Sequence, residues 1–209
     1  MKRGKHIILG LIWMFFIISL SVTVTLNFRP LYYPDIDSLN ISERSGLPED
    51  EIRANYDVLI DYNNFWGPET LEFPTLAMSE TGRIHFEEVK VIFVALEYMA
   101  IVTGILAIAG AVWMKKQGEN LYLKYTSILT VGVPALVGAG IAINWDKAFV
   151  IFHKIFFRND YWIFSADTDP VITILPDTFF LHCAVMILAL VVLGSVICSG
   201  IYIRAKKTA

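Results

Sequence analysis

Histidine is the side chain whose ordinary pKa lets it both take and give a proton near neutral pH, and this chain has four. His153 stands in Asp146–Trp162, DKAFVIFHKIFFRNDYW, among Phe149, Phe152, Phe156, Phe157, Tyr161 and Trp162. Read at helical spacing, Phe149, His153, Phe156 and Phe157 share one face, so an imidazole sits on the apolar side of its segment. There its proton affinity is set by neighbours rather than by water. His85 lies in Gly82-Arg-Ile-His85-Phe-Glu-Glu-Val-Lys90, just ahead of a long apolar run. Two such rings brought together form a base and an acid, the pair that ester-to-amine acyl transfer requires: one group removes the amine proton and another protonates the departing alkoxide. That reaction is downhill without a nucleotide or cofactor, because amides are more stable than esters. With His85 at the positive end of a helix dipole, a neutral, proton-accepting ring is favoured, while Glu87 and Glu88 would oppose this if they approach.

Other chemistries find less support. The chain has no phosphate-binding glycine loop, nucleophile elbow, HExxH or cysteine cluster, so neither nucleotide nor nucleic acid is an expected partner. No two histidines have the i, i+4 spacing of a helical metal site, and neither a metal nor a cofactor is expected. Cys183 and Cys198 would lie about 22 Å apart on one helix, too far for a disulfide. His182 and Cys183 are adjacent, and adjacent helical side chains diverge by about 100°. Glu97, inside an apolar run, reads as a protonated or paired structural acid, though an intramembrane carboxylate is also a functional candidate.

The elements that must position these residues are mostly membrane helices. Of the 209 residues 56% are hydrophobic, and they gather in four runs of the roughly 20 residues a bilayer crossing needs: Ile7–Leu26, Val89–Met114, Leu121–Ile143 and Phe179–Ile203. The expected class is therefore an all-α integral membrane protein with four transmembrane helices and a small extracellular cap built from two outer loops. Its segments are 1–26, the first span; 27–88, the first part of the cap; 89–143, spans two and three with a short turn; 144–178, the second part of the cap; and 179–209, the fourth span. Lys2, Arg3, Lys5, Lys115, Lys116, Lys124, Arg204, Lys206 and Lys207 flank the spans on one side, accompanied there by Glu119 alone. Segment 27–88 instead holds thirteen acids against four arginines. The positive-inside rule puts both termini in the cytoplasm and both long loops outside. The first apolar run is too long for a signal peptide and reads as a retained anchor.

Local signals refine this. The prolines of Arg29–Pro34 imply extended chain. Pro48–Tyr62 reads as a surface helix with Pro48 in its first turn and Ile52, Tyr56, Leu59 and Ile60 on its apolar face. A first loop of about 60 residues is too small for a robust core of its own and should pack down as a cap. Ser79 or Thr81 can cap the helix bearing His85, and Asp146 the one bearing His153. Pro134 is expected to break the third span. The glycines of spans two to four read as close-packing positions.

The two histidine stretches, with Phe152-His153-Lys-Ile-Phe-Phe-Arg-Asn-Asp160-Tyr-Trp162 as the second, resemble the hallmark stretches of the bacterial lipoprotein intramolecular transacylase family. The likeness extends to the four-span layout, the larger first outer loop and the Pro176–Phe180 lead into span four. It implies a bacterial cell-membrane enzyme with its active site at the extracellular face and His85 and His153 as catalytic residues. The implied substrate is a lipoprotein whose N-terminal cysteine carries an S-diacylglyceryl group and a free amine. The implied reaction moves the sn-2 acyl chain to that amine, giving the lyso form. Partners are then the lipoprotein and membrane lipids.

Orientation dominates such a reaction, since correct placement is worth on the order of 7–11 kcal/mol. Phe149, Phe152, Phe156, Phe157, Tyr161 and Trp162, with Tyr56, Tyr62, Phe65 and Trp66 from the first loop, are the expected walls. His85 takes the base role and His153 the acid role in this reading. Arg158, Asn159 or Lys154 would stabilise the oxyanion, and Asp160, Asp167 or Asp169 would orient an imidazole. The competing class is a non-enzymatic membrane protein whose outer cap binds a lipid or protein partner, or whose histidines sense pH.

Overall fold

A computed structural model describes residues 2–207. In chain order the helices are α1 (Lys2–Asn27), α2 (Tyr33–Ser38), α3 (Ile41–Ser45), α4 (Glu49–Tyr62), α5 (Glu80–Lys116), α6 (Leu121–Ile143), α7 (Trp145–Phe156), α8 (Val171–Ile174) and α9 (Asp177–Lys207), with a 3-10 turn at Arg29–Leu31. The described residues contain no strand. Helices α1, α5, α6 and α9 are each long and apolar enough to cross a bilayer. The chain divides into two compact units: Met1–Thr23, Leu96–Ile143 and Val185–Ala209 in the first, Val24–Ala95 and Asn144–Ala184 in the second.

The first unit is built around α1. Leu9, Ile17, Met114, Tyr122, Leu123, Val191 and Cys198 form its buried cluster. Small residues on the other helices let α1 approach. A methyl group at Gly110 would meet Leu9 at 2.5 Å, one at Gly104 would meet Phe16 at 2.9 Å, and one at Gly194 would meet Ile17 at 2.7 Å. The sequence reading holds for these three; Gly132, Gly140 and Gly200 face open space. The outward faces are apolar, with Ile105, Ile108 and Leu136 exposed, a surface that lipid tails accept and water does not. Pro134 stands inside α6 without ending it, contrary to the expected break. Apolar surroundings leave the backbone nothing better than helix, so membrane helices carry prolines that would end a soluble one.

The second unit has its own core. Leu26, Tyr32, Ile36, Ile41, Ile52, Tyr56, Leu59 and Ile60 pack with Phe86, Val171, Ile174 and Phe179. Both long loops thus contribute to one cluster, which resolves the small-core problem: the first loop borrows apolar surface from the second. Tyr32 and Tyr56 stack at 3.8 Å between centroids, and the buried Tyr32 hydroxyl donates to the Ile174 carbonyl at 2.6 Å. Segment Arg29–Pro34 is not extended. Each proline falls at the first or second position of a helical turn, where its fixed φ suits helix and its missing N–H costs nothing. Pro48 immediately precedes α4 rather than lying in its first turn.

The start of α5 is fastened with care. Ser79 Oγ accepts the Gly82 N–H at 3.0 Å, as an N-cap should. The Ser79 N–H in turn donates to Asp169 Oδ1 at 2.8 Å, ninety residues away. Asp169 is buried, and its charge faces the positive end of the helix dipole. Gly82 makes room for it, since a Cβ there would stand 2.2 Å from Asp169 Oδ1. Gly82→Ala is accordingly expected to push Asp169 off Ser79 and to cost about 1–3 kcal/mol. Thermal unfolding in detergent checks this; an unchanged midpoint would contradict the fastening role.

Candidate active site

Helix α5 has 37 residues, about 55 Å at 1.5 Å per residue against a hydrocarbon layer of about 30 Å. Its first turns, ahead of the apolar run that begins at Val89, therefore lie outside the membrane-crossing part, and His85 is among them. Its ring is 6% exposed. Phe157 meets it at 4.7 Å, Phe164 at 5.4 Å and Phe86 at 5.7 Å between ring centroids. The His85 Nδ1 is buried and meets no hydrogen-bond partner among the described residues.

Helix α7 carries the second imidazole. Asn144, not Asp146, caps it: the Asn144 side chain accepts the Lys147 N–H at 2.8 Å. Asp146 sits two positions too far along, already in the first turn. His153 falls in the last turn, one helical turn beyond Phe149, whose ring it meets at 4.3 Å. Its Nδ1 bonds the Phe149 carbonyl at 2.8 Å. A carbonyl only accepts, so Nδ1 carries the hydrogen and the neutral ring keeps its lone pair on Nε2. Trp162 stacks on His153 at 4.5 Å. The two imidazoles, 68 positions apart in sequence, stand 6.3 Å apart between centroids.

Burial lowers both proton affinities. His85 is held down at about 4, first by loss of hydration and then by the neighbouring His153. His153 is also lowered by burial, against an opposing pull from its bond to Phe149. The acids that might have raised His85 are engaged elsewhere, Glu87 by Arg83 and Glu88 by Asn159.

Of the expected wall residues, Phe149, Phe157 and Trp162 surround the imidazoles. Phe157 lies beyond the end of α7 with extended backbone, which turns its ring inward beside His85. Phe152 touches His153 with one edge at 5.4 Å but is otherwise exposed, and Phe156 leans on Phe152 at a tilt, also exposed. Tyr161 is exposed. Tyr62 is buried beneath the Lys90 ammonium, 4.3 Å from its ring, and Trp66 is exposed against Phe65. Among the described residues no ring contact joins Tyr62 or Trp66 to either imidazole.

The expected polar helpers have other partners or none nearby. Asn159 donates to both Glu88 oxygens, at 2.9 and 3.2 Å, and accepts the Tyr161 N–H at 3.1 Å. It thereby ties the loop after α7 to the turn following His85. Arg158, Lys154, Asp160 and Asp167 are exposed, and Asp169 holds Ser79 rather than an imidazole. Phe164 and Phe86, which line His85, were visible in the sequence only as members of apolar runs. A third histidine is paired where the sequence suggested nothing: His182 Nδ1 donates to the buried Asp35 carboxylate at 2.7 Å.

The family model described as lipoprotein intramolecular transacylase Lit matches residues 7–180. No curated protein matches the chain. Among solved structures, the membrane integral lipoprotein intramolecular transacylase Lit from Bacillus cereus is 39% identical with a TM-score of 0.96, over 99% of this chain and 96% of that one. Structures of the Bacillus cereus protein with an H85R and an H85A mutation match at 38% identity and a TM-score of 0.89, over 99% of this chain and 92% and 94% of theirs.

Proposed function

The chain belongs to the lipoprotein intramolecular transacylase family, and we propose that its His85 and His153 move the sn-2 acyl chain of an S-diacylglyceryl-cysteine lipoprotein to the amine of the same cysteine. The observation that carries this is the pair itself: two neutral imidazoles 6.3 Å apart inside an aromatic enclosure. The protein is an integral membrane acyltransferase; the substrate's identity, the roles below and the extracellular placement of the site are the proposal.

Chemically, the free amine attacks the ester carbonyl carbon and the C–O bond to glycerol breaks. One proton must leave nitrogen and one must reach the departing oxygen. Both atoms are attached to the same carbon in the tetrahedral intermediate, so a single imidazole can take the proton from one and return it to the other. His153 suits that shuttle, because its Nδ1 bond fixes the Nε2 lone pair toward a proton and its affinity is less depressed by its surroundings than it would be without that bond. His85 remains neutral and donates an N–H to the developing oxyanion, as neutral imidazoles do where burial holds their pKa down. In this proposal His153, which sequence reading gave the acid role, serves as both base and acid, and His85 donates a hydrogen bond instead of acting as base; the Phe149 carbonyl motivates the assignment. The buried Trp162 indole N–H, without a hydrogen-bond partner among the described residues, is the second available donor. Phe149, Phe157 and Trp162 would hold the substrate folded on itself. In this reading the termini are cytoplasmic and the imidazole pair faces the outside.

Expression in a bacterium that makes diacylglyceryl lipoproteins, followed by mass spectrometry of their N-terminal lipopeptides, tests the function. A product of unchanged total mass with one acyl chain on nitrogen is expected. Unaltered diacyl lipopeptides would favour the non-enzymatic reading.

A further inference from the structure

The loop after α7, residues 157–164, carries three of the rings that enclose the imidazoles: Phe157 and Phe164 against His85, and Trp162 on His153. Apolar contact alone orients such rings loosely, because it has no direction. Among the described residues, the only side-chain hydrogen bonds leaving this loop run from Asn159 to Glu88. Glu88 stands three positions after His85 on α5, so it is the neighbour of that ring one turn along the helix. Both partners are half-buried, whereas Arg158 and Asp160 on either side of Asn159 are exposed.

We propose that Asn159 is a positioning residue for acyl transfer, holding loop 157–164 closed over the imidazole pair through Glu88. The geometry fixes which end of its amide does this. The Tyr161 N–H, which can only donate, meets Asn159 Oδ1 at 3.1 Å. The Glu88 carboxylate, which accepts, takes Asn159 Nδ2 at 2.9 and 3.2 Å. Turning the amide around would break both contacts at once. A carboxylate acceptor makes such a bond roughly twice as strong as a neutral one. One end of the amide therefore shapes the turn, and the other fastens that turn to the helix of His85.

This deepens the transacylase reading and rests on it. Among the described residues no hydrogen bond joins Asn159 to either imidazole, and both ends of its amide are already engaged. It is thus not the oxyanion donor that its place in the sequence suggested, and it acts through Phe157, Trp162 and Phe164. The reaction needs the amine and the ester carbonyl of one molecule held together, and a displacement of about 1 Å can cost about a hundredfold in rate. A loop that frays would leave the substrate one wall short.

The test exchanges donor and acceptor. Asn159→Asp keeps an oxygen for the Tyr161 N–H but sets two carboxylates face to face. It is expected to slow single-turnover acyl transfer on a synthetic diacylglyceryl lipopeptide in detergent by about tenfold or more. Adding Glu88→Gln puts an amide opposite a carboxylate again, with the sides reversed, and should return the rate to within about threefold of wild type. A second readout is the nuclear magnetic resonance of isotope-labelled histidine, with the His85 signals assigned by their loss in His85→Ala. Those signals, displaced by the Phe157 and Phe164 rings, should move toward free-histidine values in Asn159→Asp and return in the double variant. A mere loss of stability would not shift them in folded protein. An Asn159→Asp rate equal to wild type overturns the inference. So does a double variant as slow as Asn159→Asp, which would mean that the Asn159 amide itself serves the reaction. Should Asn159→Asp fail to fold, the double variant alone decides, by recovering the wild-type rate or not. Wild type inert on the lipopeptide overturns the transacylase reading and this role with it.

Discussion

His153→Ala is expected to slow acyl transfer by about 10²–10⁴-fold, the range for loss of a positioned proton shuttle. His85→Ala, which removes a neutral donor, is expected to cost about 10²–10³-fold. The double variant should be little slower than His153→Ala alone, because residues acting on one intermediate are not additive. Both variants are expected to fold. His85 carries a buried nitrogen without a partner among the described residues, so removing the ring also removes an unsatisfied polar group, and of the unit's core residues only Phe86 has a ring contact with it among the described residues. Single-turnover rates on a synthetic lipopeptide decide the matter. Full activity in His153→Ala would refute the shuttle, and a double variant slower by the product of the two effects would mean independent actions.

Acid should weaken the folded protein through His85. Its ordinary pKa of 6.5 falls to about 4 on folding, so the folded state binds fewer protons than the unfolded one between those values. The stability this supplies is fully present above 6.5 and is lost as pH drops toward 4. Its size is on the order of 3 kcal/mol at one 1.36 kcal/mol step per pH unit. His153 adds in the same direction. Unfolding in detergent between pH 7 and 4 should therefore show a slope that His85→Ala removes in large part; identical slopes would contradict a buried neutral ring. Activity follows a separate course. With both imidazoles neutral throughout the near-neutral range, the substrate amine, at about 7.7–8.0, sets the visible limb. The rate should rise about tenfold per pH unit up to that value and then level. A fall in rate across pH 7 to 8 would mean that an imidazolium is required in the resting site.

Much of this architecture was legible because membrane helices are specified locally. Twenty apolar residues in a row declare a crossing wherever they stand, and the four runs became α1, α5, α6 and α9. The sequence is ambiguous where a local rule has two outcomes. Proline at Pro30 and Pro34 either extends a chain or opens a helical turn, and the apolar core claiming Tyr32 and Ile36 chose the turn. Asn144 and Asp146 are both capping residues, and only the backbone angles at Asn144 select between them. The site divides the same way. Phe149 and His153 are neighbours on one helix and could be paired from spacing. By contrast, Glu88 with Asn159, Asp169 with Ser79 and Asp35 with His182 are 71, 90 and 147 residues apart. No periodicity in one sequence carries such pairs; each exists because two loops share a core. Phe157 shows the limit most simply: helical spacing put it on the right face, but it reaches His85 from outside the helix.

In the proposed reaction one substrate molecule reacts with itself between His85 and His153. The direct measurement mixes two lipopeptides of different peptide mass, one with isotopically heavy acyl chains, and follows products by tandem mass spectrometry. With wild type, each peptide should acquire on its nitrogen only the acyl chain it brought, and both single alanine variants should form that product at least about a hundredfold more slowly. Acyl chains crossing between peptides, or undiminished rates in either variant, would contradict it.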